Sequence, residues 1–239
     1  MKLASQQVET IDKSTNPTLT FAIEMARLGL KIFPLEAMGK KPVDQGWQGL
    51  ATDDEIQIRA WFAQRPKMNY GIACGPMGLV VIDLDMKNSI DGISNWSKIA
   101  VANGFEPSFE VGTPSGGMHI YYWASGLRNS QSAVAPGVDT RGDGGYVVGP
   151  GSVTGEGMYF PSLPGYFPDH GDIRAASEAL KSALKSRKAS ENLAIESVLT
   201  APRALVSRPL SKPQAEVLGR NIVKLLTAPE GQRNGTLND

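Results

Sequence analysis

Two aspartates close an apolar run, Gly78-Leu79-Val80-Val81-Ile82-Asp83-Leu84-Asp85. Alternate side chains of a β-strand lie on the same face, so Asp83 and Asp85 share one face and their apolar neighbours lie on the other. Two adjacent carboxylates repel each other unless a cation lies between them. Hard oxygen ligands suit Mg²⁺ or Mn²⁺, so this pair is a candidate divalent-metal site. The alternative is a pair of ordinary surface acids at a strand edge.

A second polar cluster is Thr113-Pro114-Ser115-Gly116-Gly117-Met118-His119. Two glycines after a serine let the backbone turn tightly and present N–H groups, a geometry that can bind phosphate oxygens. Ser115, Gly116 and Gly117 are therefore candidate nucleotide-binding residues, and His119 would lie beside them. The alternatives are a serine that only caps the turn and a histidine with a purely structural role.

The third cluster lies in the glycine-rich segment from Pro136 to Val148. Asp139, on an extended segment, could supply a third carboxylate, and Arg141 a fixed positive charge for a phosphate. The alternative is a glycine-rich hairpin with ordinary turn acids, which fits Asp143 better than Asp139. We therefore place Asp143 in the turn.

A basic loop, Gly39-Lys40-Lys41-Pro42, precedes all three clusters. Lys40 and Lys41 could each neutralise a phosphate of a template or a nucleotide, although such loops are commonly only solvated. The tryptophans Trp47 and Trp61 are better explained as packing residues than as base-stacking platforms.

The elements that must position these residues follow from periodicity and turn signals. A turn at 75–78 joins two strands, and a turn at 114–117 joins the two strands of a second hairpin. We expect 1–16 to be flexible, 17–170 to form the main domain, and 171–239 to be a helical segment truncated from a longer protein. Helices are predicted over 17–28, from a capping box at Thr52 to before Pro66, and over 90–103, 171–198 and 213–227, with a linker at 201–212. Strands are predicted over 31–35, 69–73, 79–85, 109–113, 119–123, 138–140, 146–148 and 158–160.

The composition excludes several classes of protein. With Cys74 as the only cysteine and two histidines among 239 residues, the chain cannot form an intrachain disulfide, and we expect no zinc. The chain has no apolar run long enough to cross a bilayer and its first residues are not signal-like, so we expect a cytoplasmic protein without membrane association. Its 24 basic and 24 acidic residues give no charge signature of nucleic-acid binding.

The three clusters together resemble the archaeo-eukaryotic primase superfamily, specifically the bifunctional primase-polymerase domain of plasmid, phage and integrated-element replication proteins. That family carries an acid-hydrophobic-acid pair, a Gly-Gly turn before a histidine, and a third acid, in this order. The likeness covers about 18–165. It also extends to the flanking sequences, including Lys40-Lys41-Pro42, Asn69-Tyr70-Gly71-Ile72 and Arg141-Gly142-Asp143-Gly144-Gly145-Tyr146.

The resemblance implies an α+β fold with an RRM-like palm of mixed and antiparallel strands flanked by helices. It implies that Asp83, Asp85 and Asp139 are catalytic and bind two Mg²⁺ or Mn²⁺ ions. His119 would contact the incoming triphosphate. The activity implied is template-directed nucleotidyl transfer, with single-stranded DNA template, primer strand and dNTP or rNTP as partners.

A helicase partner, fused or separate, is also implied by the resemblance. No Gly-x-x-x-x-Gly-Lys-Ser/Thr loop occurs in this sequence, so the chain does not itself carry such a helicase. Two other functions stay open at this stage. One is a catalytically inactive module that binds single-stranded DNA or an origin, and the other is a two-metal nuclease or phosphatase that uses the same carboxylates.

Overall fold

The computed structural model describes residues 16–75, 77–162 and 167–185. Within them the helices are α1 (Pro17–Arg27), α2 (Trp47–Leu50), α3 (Glu55–Gln64), α4 (Gly92–Asn103) and α5 (Glu178–Lys185). The strands are β1 (Ile32–Leu35), β2 (Asn69–Ala73), β3 (Leu79–Leu84), β4 (Met86–Lys87), β5 (Ile90–Asp91), β6 (Phe109–Gly112), β7 (Met118–Trp123), β8 (Ser130–Ala135), β9 (Val138–Arg141), β10 (Tyr146–Val148), β11 (Val153–Thr154), β12 (Gly157–Met158), β13 (Phe160–Pro161) and β14 (Arg174–Ala175). The mixture of helices and mainly antiparallel strands confirms an α+β fold.

Two sheets make up most of the fold. The larger has seven strands in the order β13-β6-β7-β3-β9-β8, with β14 added alongside β7. The smaller has the order β1-β2-β10. Strand pairing is antiparallel except between β14 and β7. The strands β4 and β5 form a separate hairpin, as do β11 and β12.

The central strand β3 separates two hydrophobic cores. Leu79 and Val81 pack into the first core, which also contains α1, α3 and the small sheet. Val80, Ile82 and Leu84 pack into the second, with α4 and α5. The alternation predicted for this run is therefore confirmed, and the face that carries Asp83 is the face shared with the small sheet.

Helix ends follow local capping rules, with one correction. Asn16 caps α1 through the Thr18 N–H, and α4 ends at Gly104 in the left-handed conformation (φ 64°), as its sequence predicts. The predicted cap of α3 was wrong. Asp54, not Thr52, accepts from an N–H of the first turn, while the Thr52 hydroxyl accepts from the Asp54 N–H.

The strands β2 and β3 do not form the predicted hairpin. Each has other partners on both sides: β2 lies between β1 and β10, and β3 between β7 and β9. The connection through Gly75 and Gly78 thus crosses from the small sheet to the large one. The segment between β9 and β10 crosses in the same region, since the Cys74 N–H donates to the Gly145 carbonyl at 2.9 Å.

The hairpin of β6 and β7 is confirmed, with Val111 opposite His119. The predicted helix over 171–198 begins late, because 174–175 form β14 and the helix starts at Glu178. The rest of that helix, the linker at 201–212, the helix at 213–227 and residues 1–15 lie outside the described residues. No helix in the described part of the chain has the length and apolar character needed to cross a membrane.

Candidate active site

Three predicted site residues form a row across neighbouring strands. Asp83 on β3 lies directly opposite Asp139 on β9 and directly opposite His119 on β7. Residues opposite each other in antiparallel strands place their side chains on the same face. Residues that are far apart in the sequence therefore meet on the face of the sheet that looks towards the small sheet.

Arg141 bridges two carboxylates of this row. Its Nη2 lies 2.9 Å from Oδ2 of Asp83 and 3.0 Å from Oδ2 of Asp139, and its Nε donates to the same Asp83 oxygen at 3.2 Å. The other oxygen of Asp139 accepts from the Ser132 N–H at 2.8 Å. The Asp139 side chain is only 3% exposed, against 17% for Asp83 and 34% for Arg141. Asp139 is thus almost completely enclosed, whereas Arg141 reaches solvent.

His119 is buried and neutral. Burial lowers its pKa, and the nearby charge of Asp83 only partly opposes this effect. Nε2 of the imidazole lies 3.5 Å from Oδ1 of Asp83. Because this distance is long and the ring carries no charge, the two side chains do not form a strong ion pair. Nδ1 has no hydrogen-bond partner among the described residues. The ring packs 5.6 Å from that of Tyr159.

The Gly-Gly turn sits tightly against the end of β3. The Thr113 N–H donates to the Gly117 carbonyl and the Gly116 N–H to the Thr113 carbonyl, each at 3.0 Å. Gly116 has a φ of +86°, and a Cβ on Gly117 would run into the carbonyl oxygen of Leu84. Both glycines are therefore required by the backbone. The Ser115 hydroxyl lies 3.1 Å from that of Thr113, so it has a partner within the turn.

The remaining predicted residues differ in their surroundings. Asp85 follows β3 and pairs with Lys87 at 2.7 Å. Lys40 pairs with Glu156 at 3.4 Å, and both side chains are about half exposed. Lys41 is exposed and is not among the residues that line the cleft described next.

Six of the predicted residues line one open cleft of about 440 Å³ between the two sheets, whereas Asp139, Gly116, Gly117 and Lys41 are not among its lining residues. Sequence reasoning found some of its lining and missed the rest, most of which lies within the three clusters but was given no role there; only Asn129 and Tyr159 lie outside them. The predicted residues in the lining are Lys40, Asp83, Asp85, Ser115, His119 and Arg141; those not predicted are Thr113, Asn129, Gly144, Gly145, Tyr146, Val147, Val148 and Tyr159.

Asp83 and Asp139 bring two carboxylates together. Within the described residues no three His, Cys, Asp or Glu side chains, the predicted trio of Asp83, Asp85 and Asp139 included, form a group that could hold a metal ion. The carboxylates are paired with Arg141 and Lys87 instead. A single nitrogen of Arg141 reaches both Asp83 and Asp139, so one cation can satisfy both carboxylates at once. Carboxylate oxygens are the ligands that Mg²⁺ and Mn²⁺ prefer.

Comparison with known families decides the class of this protein. Residues 22–164 match the family described as bifunctional DNA primase/polymerase, N-terminal (Prim-Pol). The chain belongs to the Prim-Pol family. This Prim-Pol match confirms the family predicted from the three motifs and includes every predicted site residue. Membership implies a nucleotidyltransferase-type enzyme that acts on DNA and nucleotides. No curated protein matches the chain.

Proposed function

We propose that this Prim-Pol domain is a template-directed nucleotidyltransferase that makes primers, extends them, or does both. Its catalytic carboxylates are Asp83, Asp85 and Asp139, and its cofactor is a pair of Mg²⁺ or Mn²⁺ ions. The observation that carries this proposal is the cross-strand row of Asp139, Asp83 and His119. Asp83 and His119 line the cleft together with the basic side chains of Lys40 and Arg141. Asp139 is buried next to them and is paired with Arg141. The large sheet with α4 and α5 is, in this proposal, the RRM-like palm.

The carboxylates would hold the ions. When bound, the ions lower the pKa of the attacking 3′-hydroxyl and neutralise charge on the leaving pyrophosphate. Asp83 and Asp139 lie on adjacent strands near the middle of a sheet, so strand pairing holds them in place before any ligand binds. This rigidity keeps the cost of arranging the carboxylates low.

The triphosphate would bind in the cleft beside the carboxylates. Arg141 and Lys40 supply positive charge and Ser115 supplies a hydroxyl, while Gly116 and Gly117 shape the turn that holds Ser115 at the cleft. His119 stays neutral when buried, so its imidazole can donate one hydrogen bond to a phosphate oxygen without adding a charge. Lys41 would act further out, on the template.

Measurements of incorporation on single-stranded template, with and without a primer and with both nucleotide types, test this proposal. Asp83→Asn and Asp139→Asn keep the side-chain size but remove the charge, and each should abolish incorporation. Asp143→Asn is the matched control, because Asp143 is exposed and does not line the cleft. Near-normal incorporation by either site variant would refute the metal assignment.

The same assay separates the other functions. Strand shortening instead of extension would indicate a nuclease, and binding to single-stranded DNA without metal-dependent nucleotide binding would indicate a non-catalytic module. In this proposal the domain serves a replication protein of a plasmid, phage or integrated element that works with a fused or separate helicase.

A further inference from the structure

Basic side chains in and beside the cleft are paired with carboxylates in this structure. Arg141 contacts Asp83 and Asp139, and Lys87 contacts Asp85. The carboxylates that would bind metal are thus the ones that hold positive side chains in this structure. Of these pairs the bridge by Arg141 is the most enclosed.

A metal ion held by Asp83 and Asp139 would compete with Arg141 for their oxygens. One nitrogen of Arg141 lies within 3.0 Å of Oδ2 in both Asp83 and Asp139. A metal that bound both oxygens would take the place of that nitrogen, and its charge would repel the guanidinium. Arg141 lines the cleft and is partly exposed, so its side chain has room to turn away from the sheet.

We propose that Arg141 couples metal binding to triphosphate binding: its guanidinium neutralises Asp83 and Asp139 until metal arrives and then moves to the triphosphate. This inference rests on the proposed function, since it takes the two aspartates as metal ligands. It makes Arg141 a positioning residue for the carboxylates and a binding residue for the nucleotide at different stages.

The coupling follows because binding of either ligand alone leaves a charged side chain without a partner. Metal alone would displace a partly buried guanidinium that then has no anion. Triphosphate alone would draw the guanidinium away and leave two facing carboxylates without a cation. An uncompensated charge of this kind is costly. When metal and triphosphate bind together every charge has a partner, so each ligand should raise the affinity for the other by the same factor, in the usual range of about 5-fold to 150-fold.

Direct binding of Mn²⁺ without nucleotide tests the inference without relying on catalysis. Arg141→Gln removes the competing charge, so the variant should bind Mn²⁺ at least about 5-fold more tightly than the wild type. Its binding of dNTP in EDTA should be weaker than that of the wild type. Arg174→Gln is the matched control: it breaks the exposed 2.9 Å pair with Glu106, outside the cleft, and should change neither affinity.

Thermal unfolding covers the case in which Arg141→Gln folds poorly without metal. Loss of the guanidinium leaves two facing carboxylates, so Mn²⁺ should raise the Tm of this variant more than that of the wild type. Arg141→Lys keeps one positive charge and should bind Mn²⁺ with an affinity between the two.

The outcomes separate this inference from the proposed function. If the wild type incorporates nucleotide with Mn²⁺ but Arg141→Gln binds Mn²⁺ no more tightly, the coupling role is refuted and the enzyme assignment stands. If Arg141→Gln binds Mn²⁺ more tightly but the wild type shows no incorporation, the coupling stands and the polymerase assignment fails. If neither protein binds Mn²⁺, both are refuted.

Discussion

Gly117→Ala tests whether the Gly-Gly turn is positioned by its contact with β3. A Cβ on Gly117 would lie closer than 3.0 Å to the carbonyl oxygen of Leu84, and a Cβ does not approach other atoms that closely. It would also lie 3.0 Å from the Thr113 hydroxyl. The strand β3 is paired on both sides, so the turn should yield rather than the strand. In a close-packed interior the shift needed is about 1 Å.

The magnitude follows from this shift. Overpacking of this kind costs about 1–3 kcal/mol of unfolding free energy, which lowers the Tm by about 2–12 °C in a domain of this size. The turn carries Ser115 and leads directly into His119. A displacement of about 1 Å in substrate-binding groups can reduce the rate about 100-fold. We therefore expect a large loss of incorporation with only moderate loss of stability.

Single-nucleotide incorporation and urea unfolding, measured on the same preparations, provide the assay. Gly104→Ala is the control, because Gly104 has a φ of +64° at the end of α4 and a Cβ there meets nothing within 4 Å. Its backbone strain should cost about 1–2 kcal/mol without reducing incorporation. The reasoning is refuted if Gly117→Ala incorporates at the wild-type rate, or if Gly104→Ala loses as much activity.

Three further predictions concern single side chains. Burial lowers the pKa of His119 below its ordinary 6.5. In EDTA the free energy of unfolding should therefore fall as the pH drops below about 6.5, by at most about 1.4 kcal/mol per pH unit. In urea titrations His119→Gln should remove this pH dependence, and His170→Gln, at an exposed position, should keep it. Lys40→Ala should raise the Km for nucleotide about 10-fold, equivalent to about 1.4 kcal/mol. Glu156→Gln should lower this Km, because it frees Lys40 from its ion pair. Equal Km values in steady-state kinetics would contradict a role of Lys40 in nucleotide binding. Burial raises the pKa of Cys74, so iodoacetamide should label it only after unfolding, and mass spectrometry of the native protein should find it unmodified.

Local sequence signals predicted those features that depend on a single helix or strand. The alternation in β3 predicted which face Asp83 occupies, and the Asn-Gly end of α4 predicted its last residue. The cap of α3 was predicted less well. Thr52 and Asp54 are both good capping residues, and the choice depends on which of them the chain brings next to the free N–H groups.

Strand pairing could not be predicted from local patterns. The strands β2 and β3 are short, apolar and buried, and such strands pair as well in a hairpin as between other partners. The meeting of Asp139 with Asp83 depends on pairing between distant segments, and only the family resemblance suggested it in advance. Tyr159 lines the cleft without belonging to any motif, and Tyr146 lines it although its motif predicted no role for it, because packing of the two sheets brings them there.

The cross-strand row also determines which changes in chain length this domain can tolerate. Because side chains alternate along β3, deleting one residue within the strand would turn Asp83 into the apolar core beneath α4 and remove it from Asp139 and His119 together. An insertion in the exposed 155–156 turn of the β11–β12 hairpin changes no register in the large sheet. Relatives of this protein should therefore vary in length at such turns and keep the length of β3 constant.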